Sequence, residues 1–180
     1  MNQYVLLFRA VNISGKNHLD NTLLKSLLSQ KGCSNVVSYI NSGNFCFSCN
    51  LQYDKVREMI DDILVDNFSF NVNYYLGSYQ DVKKMLDDFL KSNFSEKGYY
   101  DNIIFPISAS VKQIELSLGT TSQYDKYLLG DKCIYWSFDL ANYRKSKWYF
   151  SSANCELSNQ FTIRKISTVE KLLGKVKLNE

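Results

Sequence analysis

Short apolar stretches rich in β-branched and aromatic residues alternate along the chain with longer stretches whose apolar residues recur at helical spacing. The first pattern predicts β-strands, near residues 3–11, 35–40, 44–49, 71–77, 101–107, 124–129 and 132–138. The second predicts amphipathic helices, because residues three and four apart share one helix face. It is clearest in three stripes: Leu23, Leu24, Leu27 and Leu28; Val56, Met59, Ile60, Ile63 and Leu64; Val82, Met85, Leu86, Phe89 and Leu90.

Over residues 3–77 the predicted elements follow the order strand, helix, strand, strand, helix, strand. This is the order of the split βαβ, or ferredoxin-like, arrangement. After a third helix and the irregular stretch 92–101, the second half begins in the same way. It has a helix near 110–118 and a hairpin that turns at Gly130-Asp131.

The end of the chain is less regular, with helices predicted near 146–157 and 167–177. The whole pattern predicts an α+β fold made of two ferredoxin-like (split βαβ) subdomains packed closely, with mainly antiparallel sheet and helices. Residues 1–91 would form the first subdomain with a linking helix, and residues 101–180 the second.

Two helix starts carry capping residues. Asp20 precedes the first apolar stripe, where its carboxylate can accept hydrogen bonds from the backbone N–H groups of the first turn. Ser78, followed three residues later by Asp81, resembles a capping box for the third helix. These residues indicate where the first and third helices begin.

Composition limits the class of protein. The 180 residues are 45% apolar and 22% charged, without Pro-rich, Gly/Ser-rich or repeated tracts, which predicts a globular fold. The longest apolar run, Tyr4 to Val11, is interrupted by Arg9 and is far shorter than the roughly 18 residues of a membrane span. Since no basic leader with a cleavage site is apparent, we expect a cytoplasmic protein that does not act in a membrane.

Five cysteines at irregular spacing favour reduced thiols over a disulfide framework. Cys46 and Cys49 form a C-x-x-C sequence, but they lie in a predicted strand, where positions i and i+3 point to opposite faces. Redox and zinc versions of this sequence lie on turns or helix starts. We therefore expect neither a metal site nor a cofactor.

Two loops rich in Gly and Asn meet in the predicted fold. The third strand of a split βαβ arrangement runs antiparallel beside the first, so the end of the first strand lies next to the start of the third. Residues 12–18 leave the first strand and lead into a helix N-terminus, where free amides and the helix dipole favour an anion. Lys16 adds positive charge there, and Ser42, Gly43 and Asn44 supply hydrogen-bonding groups across the edge.

A structural interpretation of both loops stays open, since Asn and Gly are common turn formers. The first loop is not a P-loop, because Ala10 stands where the first glycine of G-x-x-x-x-G-K-[ST] is required. Arg9, inside the apolar run, needs a partner if it is buried, and either a salt bridge or an anionic ligand would satisfy it.

Candidate catalytic groups are few. The only histidine, His18, has no acidic partner nearby in sequence, and no nucleophile sequence such as G-x-S-x-G is present. The Asp61-Asp62 and Asp87-Asp88 pairs lie on predicted exposed helix faces, where they favour solubility. The sequence therefore leaves open whether the protein is an enzyme, and it identifies no catalytic residue.

The C-terminal quarter is the basic part of the chain, because residues 141–180 hold eight Lys or Arg against three Glu. Within it, residues 143–150 combine three basic side chains with four aromatic rings. Basic groups bind phosphates and aromatic rings stack on bases in many single-strand binding proteins. Nucleic-acid binding through this segment is therefore an alternative function, although no RNP1-like sequence accompanies it.

Three blocks of the sequence, residues 4–17, 38–47 and 162–172, resemble a mainly bacterial family, the domain of unknown function numbered 1697. Its members typically show R-G-I-N-V-G-G-K-N, then Y-I-x-S-G-N-V, and near the C-terminus T-x-R-N-W-N-T-V followed by K-L. The resemblance implies an α+β fold with ferredoxin-like halves and implies no established activity.

The blocks match the family pattern at Arg9, Asn12, Gly15, Lys16, Asn17, Ser42, Gly43, Asn44, Thr162, Arg164, Thr168 and Val169. They depart from it in two of the three blocks. Ala10 and Ser14 replace glycines, and residues 165–167 (Lys-Ile-Ser) replace N-W-N. A function that needs the family tryptophan is therefore not expected of this chain.

The sequence predicts an uncharacterised protein that binds an anionic or phosphate-bearing ligand at the edge formed by residues 12–17 and 42–44. The expected ligand-binding residues are Arg9, Asn12, Gly15, Lys16, Asn17, Ser42, Gly43, Asn44 and Arg164. Besides nucleic-acid binding, two alternatives remain: an enzyme acting on a phosphorylated small molecule, and a protein-interaction module. The oligomeric state is left open.

Overall fold

The computed structural model of the chain describes residues 1–13 and 16–176, which form two four-stranded antiparallel sheets with helices. The strands are β1 (Asn2–Phe8), β2 (Ser34–Ser38), β3 (Asn44–Cys49), β4 (Tyr74–Ser78), β5 (Tyr99–Pro106), β6 (Asp125–Leu129), β7 (Ile134–Asp139) and β8 (Phe161–Lys165). The helices are α1 (Asn21–Gln30), α2 (Tyr53–Asn67), α3 (Tyr79–Lys91), α4 (Val111–Leu118), α5 (Lys147–Asn154) and α6 (Ile166–Leu173). The predicted α+β class is confirmed.

The first sheet has the strand order β2-β3-β1-β4. β1 pairs antiparallel with both β3 and β4, so that Leu7 lies opposite Asn44 and Phe8 lies opposite Tyr74. This is the order expected of a split βαβ arrangement. It brings the loop that follows β1 and the loop that precedes β3 to the same end of the sheet.

The second sheet repeats this arrangement, with the order β6-β7-β5-β8 and the same alternation of strands and helices. Its last strand, β8, pairs antiparallel with β5 and was not predicted from the sequence. β8 has five residues, of which Phe161 and Thr162 are buried. So short a strand gives too few alternating positions for a period of two to stand out.

By its contacts the chain divides into two compact units, Met1–Val82 with the residues from Glu170 onward, and Lys83–Val169. Each unit contains one of the two sheets. The division into a first subdomain with a linking helix, residues 1–91, and a second subdomain, residues 101–180, remains a prediction.

Each unit has its own core. In the first, the inward-facing residues of β1 and β3 share a cluster with the apolar stripes of α1 and α2: Tyr4, Leu6, Phe8, Phe45, Phe47, Leu24, Leu28, Val56, Ile60 and Ile63. In the second, Ile104, Trp136 and Phe138 pack in a cluster with residues of α4 and α5. The three-to-four spacing predicts this burial, and the prediction is confirmed along α2 and at Leu24 and Leu28 of α1. Leu23 of the first stripe and Leu90 of the third are exposed instead.

Both predicted helix caps are present. The Asp20 carboxylate accepts hydrogen bonds from the backbone N–H groups of Thr22 at 2.8 Å and Leu23 at 3.1 Å. Ser78 Oγ accepts from Asp81 N at 3.0 Å and donates to Asp81 Oδ2 at 2.8 Å. Local side-chain chemistry therefore sets the start of α1 and α3.

β1 ends at Phe8, three residues before the end of the predicted strand. Arg9 N still donates to Asn73 O at 2.8 Å, but Ala10 has a φ of 52° and turns the chain out of the sheet. Arg9 is therefore half-buried in the bend after the strand. The predicted end of this strand, residue 11, is therefore wrong, and Arg9 lies outside β1.

Candidate functional site

The connection between β1 and α1 is anchored to the first core at both ends. Val11, just after the strand, and Leu19, just before the helix, are buried and belong to the same apolar cluster as Phe8. Between these anchors the described residues are polar or exposed. The segment therefore presents polar groups from a fixed base.

Asn12 holds this connection in place. Its Nδ2 donates to the carbonyl oxygens of Leu19 at 3.1 Å and Asn41 at 2.8 Å, and its Oδ1 accepts from Leu19 N at 2.8 Å. The φ of Asn12 is 56°, in the left-handed region that Asn tolerates better than most residues. Asn12 therefore ties the loop after β1 to the loop before β3.

Hydrogen bonds and close packing also hold the loop before β3. Asn44 is fully buried and its Nδ2 donates to Tyr39 O at 3.0 Å and to Ser42 Oγ at 2.8 Å. Gly43 has a φ of 71°, and its carbonyl accepts from Phe8 N at 2.8 Å. A Cβ on Gly43 would lie 2.7 Å from atoms of both Phe8 and Val11. The missing side chain thus allows two apolar side chains to pack against the turn.

The N-terminus of α1 already carries a negative charge. Hydrogen bonds from the backbone N–H groups of Leu23 and Thr22 lower the pKa of Asp20. The carboxylate therefore occupies the amides that an incoming anion would otherwise use. Attraction of an anion to this place has to come from side chains, of which Lys16 is the nearest candidate along the loop.

A cleft of about 440 Å³ lies where the two loops and the start of α1 come together. It is lined by Asn12, Lys16, His18, Leu19, Asp20, Asn21, Thr22 and Asn41. Only Leu19 is apolar, and the cleft combines a lysine, a histidine and a carboxylate. Its volume falls within the range of small-molecule sites, roughly 300–1,000 Å³.

The side chain of Asn21 leaves one polar atom without a partner in this cleft. Its Nδ2 donates to Ile40 O at 3.2 Å and approaches Asn41 Oδ1 at 3.4 Å. Both of these partners only accept hydrogen bonds, so the amide cannot rotate to satisfy its own oxygen. Oδ1 is buried, and no described residue donates to it. A buried acceptor without a donor costs about 1–3 kcal/mol.

Left-handed backbone is concentrated around the cleft. Ala10, Asn12, Asn17 and Ile40 have φ values between 50° and 56°, and Gly43 joins them at 71°. Alanine and the β-branched isoleucine pay a steric cost for this conformation. Backbone strain of this kind clusters at functional sites, and here it lies in the same two loops that form the cleft.

The structure brings together only some of the residues that the sequence indicated. Asn12 and Lys16 line the cleft. Asn17 donates to Ala10 O at 3.2 Å, and its carbonyl accepts from Asn12 N at 3.0 Å. Like Ser42, Gly43 and Asn44, it holds the loop in shape. Gly15 lies outside the described residues.

The two predicted arginines do not line the described cleft. Arg9 is in the bend after β1, as described above. Arg164 lies on β8 in the second unit, where its Nη1 donates to Thr162 Oγ1 at 2.7 Å and Ile163 O at 2.8 Å. A contribution of either guanidinium to ligand binding remains a prediction.

Several lining residues were not among the predicted ligand-binding set: His18, Asp20, Asn21, Thr22 and Asn41. Two signals in the sequence pointed to them. Asp20 was predicted to cap α1, and residues next to a cap necessarily face the same helix end. Asn41 directly precedes the Ser-Gly-Asn turn, so extending that turn by one residue would have included it.

The basic aromatic segment 143–150 does not form one exposed surface. Trp148 is fully buried in the second core, and its Nε1 donates to Gly119 O at 2.8 Å. Arg144 Nε donates to the Tyr143 hydroxyl at 3.1 Å, and the Lys145 ammonium lies 5.3 Å from the centre of the Tyr124 ring. Trp148 is therefore unavailable for stacking on a base, because the start of α5 turns it inward.

The described residues, 1–13 and 16–176, give little support for thiol chemistry, a metal site or a membrane span. All five cysteines are free thiols, and burial raises the pKa of Cys46 to about 12. Cys49 packs in the first core, whereas Cys46 is outside that cluster, as opposite faces of β3 require. Within these residues no three His, Cys, Asp or Glu side chains gather as metal ligands, and no helix has the length and apolar character to cross a membrane.

Comparison with known proteins supports the fold and gives a family without an activity. The chain is similar in structure to a conserved bacterial protein from Streptococcus pneumoniae, with a TM-score of 0.84 and 23% sequence identity over 98% of this chain and 99% of that chain. No curated protein matches the sequence. The family model described as "Protein of unknown function (DUF1697)" matches residues 1–135, which include both loops of the cleft. The chain therefore belongs to the DUF1697 family.

Proposed function

We propose that this protein binds a small anionic ligand, such as a phosphate ester, in the cleft lined by Asn12, Lys16, residues 18–22 and Asn41. The observation that carries the proposal is the strained backbone around a polar cleft. The left-handed conformations of Ala10 and Ile40 cost about 1–2 kcal/mol each. Such a cost is expected where the loops must hold a defined geometry for a ligand.

Lys16 supplies the positive charge in this proposal. It is exposed and lines the cleft, and its backbone N–H donates to Ile13 O at 2.9 Å. Asp20, the carboxylate of the cleft, is held by the N–H groups of Thr22 and Leu23, so part of its charge is already compensated. An anion would then lie near Lys16, away from the Asp20 carboxylate.

The unpartnered oxygen of Asn21 favours a ligand that also carries a hydroxyl or amino donor. Asn21 lines the cleft, and its buried Oδ1 has no donor among the described residues. A hydroxylated phosphate ester offers both an anion for Lys16 and a donor for this oxygen. Sugar phosphates are therefore the first class to test.

The proposal is one of binding. His18 lines the cleft, but among the described residues no hydrogen bond joins its ring to a hydroxyl or carboxylate side chain. An activated nucleophile or a general base normally has such a partner. Turnover of a phosphorylated molecule stays the alternative that a confirmed ligand would allow to be tested.

Thermal shift measurements against sugar phosphates, nucleotides and phosphoamino acids test this function. A ligand that binds only the native state raises its stability by about 2.7 kcal/mol at a hundred times its dissociation constant. We expect a shift from at least one sugar phosphate that Lys16→Gln abolishes. Lys25→Gln, on α1 and away from the cleft, should leave the shift intact. An equal shift in both variants would contradict the proposal, and so would no shift from any phosphate ester.

A further inference from the structure

A second cavity, of about 480 Å³, lies within the second unit and belongs to neither of the loops described above. It is lined by Tyr100, Asn102, Trp136, Phe138, Leu140, Tyr143, Tyr149, Ser152 and Ile163. Aromatic rings make up more than half of these residues. Its size is that of a small-molecule pocket.

The cavity exists because α5 is short. In the first unit the helix between the third and fourth strands, α2, has 15 residues and is about 22 Å long. The helix at the same place in the second unit, α5, has 8 residues and is about 12 Å long. A 3-10 turn, Tyr143–Lys145, precedes it. Part of the sheet face that a longer helix would cover therefore remains open.

The aromatic rings of the cavity are held in a fixed arrangement. Tyr100 and Phe138 stack with ring centres 5.2 Å apart and an angle of 22° between the planes. The Tyr149 ring meets Phe138 edge to face at 5.6 Å and Tyr143 at 5.2 Å. Rings that are already ordered lose little conformational entropy when a planar ligand joins the stack.

Asn102 places a hydrogen-bond acceptor among these rings. It is 4% exposed, and its Nδ2 donates to Tyr100 O at 2.9 Å and to Trp136 O at 3.4 Å. Since carbonyl oxygens only accept, the amide nitrogen must face them and Oδ1 must point elsewhere. No described residue donates to Oδ1. Because Asn102 lines the cavity, a ligand there would supply the missing donor.

Lys165 adds a positive charge next to this acceptor. It lies directly opposite Asn102 in the pairing of β5 with β8, so the two side chains share one face of the sheet. Its ammonium is 4.3 Å from the centre of the Tyr100 ring. In the described part of the chain no carboxylate lies within salt-bridge distance of it. Its charge is therefore available to an anion on this face of the sheet, beside Tyr100 and Asn102 of the cavity lining.

We propose that this cavity binds a nucleotide whose base carries an exocyclic amino group. The base would stack against the Tyr149 ring with the Tyr143 ring at its edge, since these two rings stand at 73° to each other. Its amino group would donate to Asn102 Oδ1, and its phosphate would lie near Lys165. Each of these three features matches one part of such a ligand: planar ring, donor and anion. The site is independent of the cleft in the first unit.

Binding of AMP to the full-length protein tests the proposal, with tryptophan fluorescence and titration calorimetry as readouts. Trp136 lines the cavity, so a stacked base should quench its emission. Tyr149 is 41% exposed, as is Tyr53 on α2 of the first unit. We expect Tyr149→Ala to weaken AMP binding about tenfold, within the range found for base stacking. Tyr53→Ala, which removes an equally exposed ring that lines no part of the cavity, should leave the affinity unchanged.

Two further comparisons test the amino group of the base and the phosphate of the nucleotide. IMP, which presents a carbonyl where AMP has its amino group, should bind more weakly than AMP, because its oxygen meets the Asn102 acceptor. Lys165→Gln should weaken AMP but not adenosine, which has no phosphate. Lys126→Gln is the control, since Lys126 also lies over a tyrosine ring, Tyr99, but lines no part of the cavity.

The source of the base is decided by comparing AMP with a single-stranded hexamer of adenylate. Equal affinity per site identifies a free nucleotide, whereas binding of the hexamer alone identifies single-stranded nucleic acid, provided that Tyr149→Ala weakens it. No binding of either probe at millimolar concentration would overturn the proposal, as would AMP binding that is equal in Tyr149→Ala and Tyr53→Ala. Lys16→Gln should not change AMP binding here, which separates this site from the cleft of the first unit.

Discussion

The side-chain amide of Asn12 pairs with both backbone groups of Leu19: Oδ1 accepts from Leu19 N at 2.8 Å, and Nδ2 donates to Leu19 O at 3.1 Å. The same Nδ2 donates to Asn41 O at 2.8 Å. The Asn12 side chain therefore pairs with the Leu19 backbone as a neighbouring strand would, and it closes the loop between β1 and α1. The polar cleft depends on this closure, because its lining residues lie on both sides of it.

Asn12→Asp should destabilise the protein by about 2–4 kcal/mol, since a carboxylate keeps the shape but cannot donate to two carbonyl oxygens. The measurement is urea unfolding followed by circular dichroism. Asn17→Asp is the matched control. Asn17 is also left-handed, at a φ of 51°, but its side chain makes one exposed bond of 3.2 Å to Ala10 O. It should cost less than about 1 kcal/mol, and equal losses in the two variants would contradict the role of Asn12.

Gly43→Ala should cost more than Gly32→Ala, although both glycines have positive φ. A Cβ at Gly43 would come 2.7 Å from Phe8 Cβ, whereas a Cβ at Gly32 would meet nothing within 4 Å. The Gly32 variant should lose only the conformational cost of about 1–2 kcal/mol, and the Gly43 variant should lose a further 1–3 kcal/mol or so from overpacking. Denaturant midpoints of the two variants give the comparison, and similar midpoints would show that Phe8 and Val11 accommodate the added methyl group.

Ala10→Gly should stabilise the protein by up to about 1 kcal/mol, because glycine adopts the left-handed conformation without a steric cost. Ala10 has a φ of 52° and is exposed, so the change removes strain and little packing. Ala141 is also exposed but is not left-handed. Ala141→Gly should therefore lower the melting temperature while Ala10→Gly raises it. A decrease in both would mean that the strain at Ala10 is negligible.

Asp125 makes the stability of the second unit depend on pH. Its carboxylate accepts from Ser122 Oγ at 2.6 Å, Lys147 N at 2.9 Å, Ser122 N at 3.0 Å and Trp136 Nε1 at 3.2 Å, and also from Ser146 Oγ. Burial alone would raise the pKa of Asp125, but the hydrogen bonds outweigh it and hold the pKa below its usual value. The contribution to stability is therefore complete above the unfolded pKa of about 3.9 and is lost as pH falls through the folded value.

Asp125→Asn should thus cost about 3–5 kcal/mol at neutral pH, since it breaks a buried network. The variant should also lose less stability than the wild type when the pH is lowered from 5 to 3. Asp131→Asn, in the exposed turn between β6 and β7, serves as the control and should behave as the wild type. Unfolding curves at several pH values provide the data. Parallel losses in wild type and Asp125→Asn would contradict the assignment.

The sequence predicted those parts of the fold that depend on local pattern. The stripe Val56, Ile60 and Ile63 is buried as its helical spacing requires, and Asp20 caps α1 because its side chain is adjacent to the free amides. The end of β1 was predicted poorly, because Arg9 and Ala10 continue the apolar run while the backbone of Ala10 has already turned at a φ of 52°. Residue type alone does not predict that an alanine adopts the left-handed conformation.

The candidate site was located better than its individual residues were assigned. Strand order alone brought the loops at Asn12 and Asn44 together, and the pairing of Leu7 with Asn44 has that consequence. The sequence could not tell that the amides of Asn12 and Asn44 are taken up by backbone carbonyls, because those bonds are made only when both loops have folded. Trp148, which the sequence analysis placed in a binding segment, is a core residue. Its burial likewise depends on contacts that form only when the second unit has folded.

The most direct test of ligand binding in the cleft is an NMR titration of the uniformly labelled protein with ribose 5-phosphate, in which backbone amide shifts are followed residue by residue. We expect the largest changes at Lys16, His18, Asn21 and Asn41, with saturation, and their loss in Lys16→Gln but not in Lys25→Gln. Saturable changes confined to other residues, or changes in the cleft that are equal in the two variants, would contradict the account.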